Sequence, residues 1–508
     1  MASNYLFILV GILQYLPNLR ALDLSDSKNL IKVPDFRGVP NLEWIILEGC
    51  TKLAWIHPSV GLLRKLAFLN LKNCKNLVSL PNNILGLSSL EYLNISGCPK
   101  IFSNQLLENP INEEYSMIPN IRETAMQSQS TSSSIIKRFI PFHFSYSRGS
   151  KNSGGCLLPS LPSFSCLHDL DLSFCNLSQI PDAIGSILSL ETLNLGGNKF
   201  VSLPSTINKL SKLVHLNLEH CKQLRYLPEM PTPTALPVIR GIYSFAHYGR
   251  GLIIFNCPKI VDIERCRGMA FSWLLQILQV LTLFDLPYIP VIFSLSIYVG
   301  TIATKTCPCF MYQVSQESAT PIGWIDIIVP GNQIPRWFNN RCVGNSISLD
   351  PSPIMLDNNW IGIACSVVFV VFDDPTSLDN DWKSSISIGF ETKSYSSRGS
   401  PLYIPILLDR NLVTVKLHHL WLLYLTRGEF FSYFKIEKML DLYGIKMHAM
   451  VDNSQGLHLE VCSCGYQWVF EEDLQNLNPT IMRRGYSNIP VDDDFVNGGS
   501  ILSLEAGS

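Results

Sequence analysis

Closely spaced cysteine, histidine and aspartate are where chemistry would have to reside in this chain. Two cysteine pairs, Cys307-Pro-Cys309 and Cys462-Ser-Cys464, are of the right type to bind a metal through thiolates. A tetrahedral structural site needs four ligands, and neither pair has a second pair at zinc-finger spacing. His418 and His419 are neighbours in a strand-like segment, where only one of the two can face inward. A structural role is expected for them. Asp169 and Asp171 stand two apart on one strand face, which could suit a glycosidase. No apolar pocket surrounds them in the pattern, and carboxylates complementary to charges on a partner explain them as well. These residues predict no enzyme, no bound metal and no cofactor.

A leucine pattern that recurs seven times, at intervals of 23 or 24 residues, sets where such residues stand. The copies begin with Leu16, Leu19, Leu22, Leu24 and Ser27, then Val39, Leu42, Ile45, Leu47 and Cys50. Leu63, Leu66, Leu69, Leu71 and Cys74 follow, then Leu87, Leu90, Leu93, Ile95 and Cys98. After a gap come Phe164, Leu167, Leu170, Leu172 and Cys175, then Ile187, Leu190, Leu193, Leu195 and Asn198. Leu210, Leu213, Leu216, Leu218 and Cys221 close the series. Period and residue class recur together, which defines a leucine-rich repeat. The expected fold is an α/β solenoid with a parallel sheet in a horseshoe, followed by an all-β jelly-roll or immunoglobulin-like sandwich.

Within each copy the strand alternates, so Leu69 and Leu71 point inward while Phe68, Asn70 and Lys72 point to solvent. No copy can bury its leucines alone, and stacking on its neighbours stabilises it. Leu80-Pro81, Ile180-Pro181 and Leu203-Pro204 recur downstream of the strands and predict short turns on the convex side. The outward strand positions form a concave face: Trp44, Ile46, Glu48, Phe68, Asn70, Lys72, Tyr92, Asn94, Asp169, Asp171, His215 and Glu219. Singly, each of these reads as solvated surface. Together, with Trp44, Phe68 and Tyr92 exposed in adjacent copies, they predict an interface for a protein ligand.

Composition narrows the partners. Charged residues are 16% of the chain and the net charge is −2, so no basic footprint points to nucleic acid. Of 15 cysteines, five occupy the repeat slot, which argues for burial and a reducing compartment rather than a disulfide framework. The apolar run Tyr5–Val10 has no Lys or Arg before it, unlike a secretory signal. The chain is expected to begin inside a longer array, with 1–13 an apolar stretch, and to be cytoplasmic or nuclear. Repeats are assigned to 14–235, with a disordered insertion at 105–158 that contains the tract Ser128–Ser134. A connector with a short helix over Met269–Gln279 spans 236–280. Residues 315–478 form the C-terminal domain, with strand-like runs at 346–349, 361–369 and 385–390, and 479–508 a loose tail.

Residues 281–314 carry two charges, Asp285 and Lys305, and none from Leu286 to Thr304. That length could just span a membrane, but Pro287 and Pro290 lie within it. The pair Gln279-Val280 is repeated as Gln313-Val314, and removal of 281–314 joins the helix directly to Ser315. Those flanks favour a retained in-frame intron over a span.

A longer motif now bears on identity. Val329-Pro330-Gly331-Asn-Gln-Ile334-Pro335-Arg-Trp337-Phe338, then Gly344-Asn-Ser346-Ile347, resembles the start of the domain that follows the repeats in plant intracellular immune receptors. Trp360-Ile-Gly362-Ile-Ala364, His419-Leu-Trp421, Cys464-Gly465 and Asp473-Leu474 continue the likeness. Those receptors are the Toll/interleukin-1-receptor nucleotide-binding leucine-rich-repeat class, and the domain is a C-terminal jelly-roll/Ig-like module (C-JID). The resemblance implies plant defence, a pathogen effector or guarded host protein as ligand, and structural roles for the motif residues. No Gly-x-x-x-x-Gly-Lys-(Ser/Thr) phosphate loop occurs. The expectation is thus a sensing part without the nucleotide switch or Toll-like domain, or a regulatory decoy that pairs with a full-length receptor.

Overall fold

The computed structural model describes residues 16–106, 164–234, 250–283, 325–357, 359–373, 383–391, 402–409, 417–434, 445–452 and 457–476. Each leucine copy forms one short strand: β1 (Ala21–Asp23), β2 (Trp44–Ile46), β3 (Phe68–Asn70), β4 (Tyr92–Asn94), β5 (Asp169–Asp171), β6 (Thr192–Asn194) and β7 (His215–Asn217). They pair in parallel with the copies aligned, so Leu22, Ile45, Leu69, Leu93, Leu170, Leu193 and Leu216 form one buried row. Strands β4 and β5 pair directly although 107–163 intervene. The solenoid is therefore continuous there; of the insertion predicted at 105–158, residues 105 and 106 instead end the 3-10 helix Pro99–Leu106, and the rest lies outside the described residues.

Proline sets the convex side. Pro81, Pro181 and Pro204 hold φ near −70° (−67°, −72° and −67°) just before the 3-10 turns Asn82–Gly86, Asp182–Ser186 and Ser205–Lys209. The slot cysteines donate S–H bonds to carbonyls of the preceding rung: Cys50 to Leu24, Cys74 to Leu47, Cys98 to Leu71 and Cys175 to Ile95, each at 3.1 Å. Asn198 does more, donating Nδ2–H to Leu172 O (2.9 Å) and Leu195 O (2.8 Å) and accepting from Leu177 N–H (3.0 Å).

Just before each slot the backbone turns left-handed, at Asp26, Gly49, Asn73, Gly97, Phe174, Gly197, His220 and Asn256. The glycines at this position lie beneath the side chain of the preceding rung. A Cβ on Gly97 would meet Asn73 Oδ1 at 2.5 Å, and one on Gly197 would meet Phe174 at 2.3 Å.

The array does not end at residue 235, where the sequence reading closes the repeats. Strand β8 (Arg250–Ile253) adds an eighth rung, with Leu252 and Ile254 buried and Cys257 donating to Leu218 O at 3.1 Å. Its spacing from the seventh copy breaks the 23-residue period, which hid it. The helix predicted over Met269–Gln279 is longer, α1 (Ile263–Leu283). The rest of the apolar segment 281–314 lies outside the described residues. Among the described residues no helix is long and apolar enough to cross a membrane.

Downstream come β9 (Ile325–Pro330), β10 (Asn340–Val343), β11 (Ser346–Ser348), α2 (Ser352–Leu356), β12 (Trp360–Asp373), β13 (Lys383–Glu391) and β14 (Leu402–Asp409). Then follow β15 (His418–Thr426), α3 (Arg427–Phe434), β16 (Lys446–Asp452), β17 (Leu457–Phe470) and α4 (Glu471–Asn476). The repeats and the C-terminal unit do not merely follow one another: they share a sheet. Its order is β1 to β9 in sequence, then β15-β12-β17-β10, while β11-β16-β13-β14 form a second sheet. The join is parallel, β8 to β9, and every later neighbour is antiparallel. An open edge on β8 would leave its N–H and C=O groups unpaired, and β9 satisfies them.

The two faces of this sheet lie in different cores. The face that carries the leucines continues through Ile327, Leu422 and Tyr424 and packs against Trp273, Ile277 and Leu278 of α1. The opposite face, open and concave along the repeats, is covered downstream. There Ile328, Trp421, Leu423 and Val367 pack against Ile386, Ile388, Phe390 and Met447 of the second sheet.

Candidate functional site: the concave face and its closed end

The concave face starts with aromatic rungs. Trp44 stacks on Phe68 at 4.8 Å between ring centroids, and Phe68 on Tyr92 at 4.2 Å with planes 7° apart. Parallel rungs place these rings in register, Trp44 beside Phe68 beside Tyr92. Stacking hides the middle one: Phe68 is 2% exposed, against the expectation of three solvent-facing aromatics. Asn70, Asn94 and His215 are buried as well, although they stand on the predicted face. Period-2 alternation gives the side of the sheet a residue faces, whereas depth is set by neighbours on adjacent rungs. Trp44, Ile46, Glu48, Tyr92, Asp169, Asp171 and Glu219 are half-buried, and Lys72 is exposed.

Polar groups link the next columns. Lys72 pairs with Glu48 at 3.1 Å, and Asn70 Nδ2–H donates to Glu48 at 3.1 Å. Asn94 Nδ2–H donates to Tyr92 Oη at 3.1 Å, and its side chain also approaches Asp171 at 3.4 Å. Burial pushes the Asp169 carboxyl up to about 6 against the Thr192 hydrogen bond, and nearby Glu191 adds to the rise. Asp171 is likewise raised by burial, while hydrogen bonds from Ser173 and the Lys72 charge act in the opposite sense. Burial thus makes ionisation of both carboxyls costly, a cost that a cation from outside would relieve.

The far end of the groove is closed by the seam. The Asn256 N–H donates to His419 Nε2 at 3.2 Å, and the Asn256 amide contacts His220 Nδ1 at 2.9 Å. Burial pulls His220 down to about 4 and His419 down to about 3, so both rings are neutral at physiological pH. Phe255 packs on His419 at 4.6 Å and edge-on to His220 at 5.6 Å. His418 is exposed and His419 is 2% exposed, as adjacency in a strand requires. Trp421 Nε1–H donates to Asp326 at 2.9 Å across β15 and β9.

The motif residues are parts of this join rather than ligands. Pro330 lies opposite His419, and Gly331 N–H donates to His418 O at 3.0 Å. A Cβ on Gly331 would meet the Arg267 side chain of α1 at 2.9 Å. Phe338 is buried with N–H donated to Pro335 O at 3.1 Å; Ile334 is also buried, and Trp337 packs against Phe338 with centroids 4.2 Å apart. Among the described residues no group of three or more His, Cys, Asp or Glu side chains could hold a metal. The sequence reading singled out His419 but missed its seam partners His220 and Asn256. The repeated left-handed position just before each slot was the signal that would have found both.

Solenoid, shared sheet and second sheet together define a leucine-rich-repeat protein with a C-terminal module. Residues 329–475 match the C-JID domain family, and 166–187 and 189–210 match Leucine Rich Repeat. The chain is 30% identical over 322 residues to TMV resistance protein N of Nicotiana glutinosa, covering 50% of this chain and 28% of that protein. It is 28% identical over 370 residues to Disease resistance-like protein DSC1 of Arabidopsis thaliana, covering 70% and 28%. Disease resistance protein RML1B, also from Arabidopsis thaliana, is 33% identical over 259 residues, covering 50% and 22%. The chain is thus similar to plant disease-resistance proteins, TMV resistance protein N among them. It spans only about a quarter of these relatives' length.

Proposed function

We propose that this chain is the protein-recognition part of a plant intracellular immune receptor. Its concave face binds a pathogen effector or a host protein that an effector modifies. The observation that carries this reading is the shared sheet: the open face of the repeats runs without a break up to a wall formed by the second sheet. A groove with one closed end presents a fixed surface whose accessible groups are Trp44, Lys72, Glu48, Asp169 and Glu219. The C-terminal unit is read as a jelly-roll/Ig-like module, the protein as cytoplasmic, and its role as binding without catalysis. The carboxyls of Asp169 and Asp171 favour a partner that brings Lys or Arg to the middle rungs.

The test starts from proteins co-purified with the chain from infected leaf tissue. The affinity of a purified partner is then measured against Trp44→Ala, Lys72→Glu and Glu219→Lys. Each is expected to weaken binding about tenfold or more, as for hot-spot truncation or charge reversal. Lys209→Glu, on an exposed convex turn, is expected to bind as the wild type does. Equal affinity for all four folded variants refutes the concave site.

A further inference from the structure

One cysteine pair stands apart from the slot cysteines. Cys342 on β10 lies directly opposite Cys464 on β17 in antiparallel register. Their sulfurs are 3.3 Å apart, the sulfur–sulfur contact found among the described residues. Directly opposed antiparallel residues have Cα atoms about 4.5–5.5 Å apart, inside the range a disulfide accepts. Side-chain rotation alone has to bring the sulfurs from 3.3 Å to about 2.05 Å.

The slot thiols are placed differently. Each points at a backbone carbonyl and is buried within the solenoid. Cys342 is half-buried, on the last strand of the shared sheet, and so is reachable by small oxidants. Cys464 is buried behind it. A bulge in β17, between the pairs Val368–Ser463 and Phe369–Val461, takes Cys462 out of the ladder. As a result Cys462 packs against the repeat-side core and Cys464 against the sandwich core. The Cys-Ser-Cys spacing that looked like half a metal site therefore places its two thiols in different cores.

We propose that Cys342 and Cys464 are a redox modification site that closes to a disulfide when a peroxide reaches the protein. The Cys342 sulfur attacks one peroxide oxygen, the O–O bond breaks, and Cys342 becomes a sulfenic acid with release of one water. The Cys464 sulfur then displaces the hydroxyl from Cys342. Its proton leaves with that hydroxyl as a second water, and the S–S bond forms. Two thiols are oxidised by two electrons and one hydrogen peroxide is reduced to two waters. Burial, and next the Cys342 sulfur beside it, raise the Cys464 thiol, so Cys342 is the attacking and Cys464 the resolving group.

The bond would act where the chain changes sheets. Cys342 now donates S–H to Ser346 O at 3.2 Å, across the Gly344 turn that carries the chain from β10 to β11. Oxidation removes that hydrogen bond and fastens the outermost strand of one sheet to β17. The reduced form holds this crossing by hydrogen bonds, Gly344 N–H to Cys462 O at 3.0 Å and Ala449 N–H to Asn345 O at 2.7 Å, and the oxidised form adds a covalent tie.

The experiment uses the full chain, reduced, desalted and treated with hydrogen peroxide. Thiols are then blocked and peptides mapped by mass spectrometry. A cross-linked peptide pair Cys342–Cys464 is expected, reversed by dithiothreitol, with Cys74, Cys98 and Cys221 still recovered as free thiols. Cys342→Ser should abolish the cross-link, while Cys462→Ser should leave it intact; circular dichroism confirms that both fold. Overoxidised Cys342 with no link to Cys464, or a link from Cys342 to Cys462 or Cys365, overturns the proposal.

Discussion

At the scale of single residues, Asp169 shows what burying a carboxyl on the concave face costs. Its carboxyl rises from 3.8 unfolded to about 6 folded, first because it is buried. Between these values the folded state holds a proton that the unfolded chain has lost. The contribution of this group to stability is thus greatest below about pH 4 and is lost as pH rises through 6. With solvent screening allowed for, its ionisation costs on the order of 2–3 kcal/mol at neutral pH. Asp169→Asn should therefore raise the melting temperature by a few degrees at pH 7.5 and change it little at pH 4, as thermal denaturation at the two values will show. The position of Asp169 on the face was legible from alternation, but its depth was not. The same holds for Phe68, whose exposure is removed by rings at 4.8 and 4.2 Å on adjacent rungs. Those contacts depend on curvature and register, which one repeat read alone does not contain.

At the scale of the element, the repeat slot offers a natural comparison. Cys221 donates one S–H bond, at 3.4 Å, whereas Asn198 makes two close donations and accepts a third bond. Asn198→Ala leaves carbonyls of Leu172 and Leu195 and the N–H of Leu177 without this partner. A loss of roughly 2–4 kcal/mol is expected, against about 1 kcal/mol for Cys221→Ala. Urea unfolding of the two variants separates them, and equal losses would show that the slot is filled rather than bonded. Sequence spacing located this slot in seven rungs because the period and residue types coincide. It missed the eighth because the Cys221-to-Cys257 interval departs from the period, although Leu252, Ile254 and Cys257 reproduce the chemistry.

At the scale of the whole molecule, the seam makes the repeats and the C-terminal unit one body. Gly251 sits at its centre with φ +139°, and a Cβ there would meet Asp326 O at 1.8 Å. Only glycine lets β8 approach β9 so closely. Gly251→Val should destabilise the protein by roughly 3 kcal/mol and split one calorimetric transition into two as the halves unlink. A single transition at the wild-type temperature would show that the shared sheet is not what couples them. The two halves were each legible, the first from leucine spacing and the second from the Val329–Phe338 motif. Their fusion was not, since strand pairing between segments as distant as 250–253 and 325–330 leaves no periodic trace.

Strands β4 and β5 keep Leu93 opposite Leu170 although the two stand 77 residues apart, against 23 or 24 between the other adjacent leucine copies. The solenoid therefore has a port. A change of length there is expected to leave the same leucines opposed, which the melting temperature of a deletion within 107–163 will check. For a flexible connection each doubling of length costs only about 0.6 kcal/mol in closure entropy. An engineered cargo such as a fluorescent domain inserted at this joint is expected to leave the rungs on either side in phase.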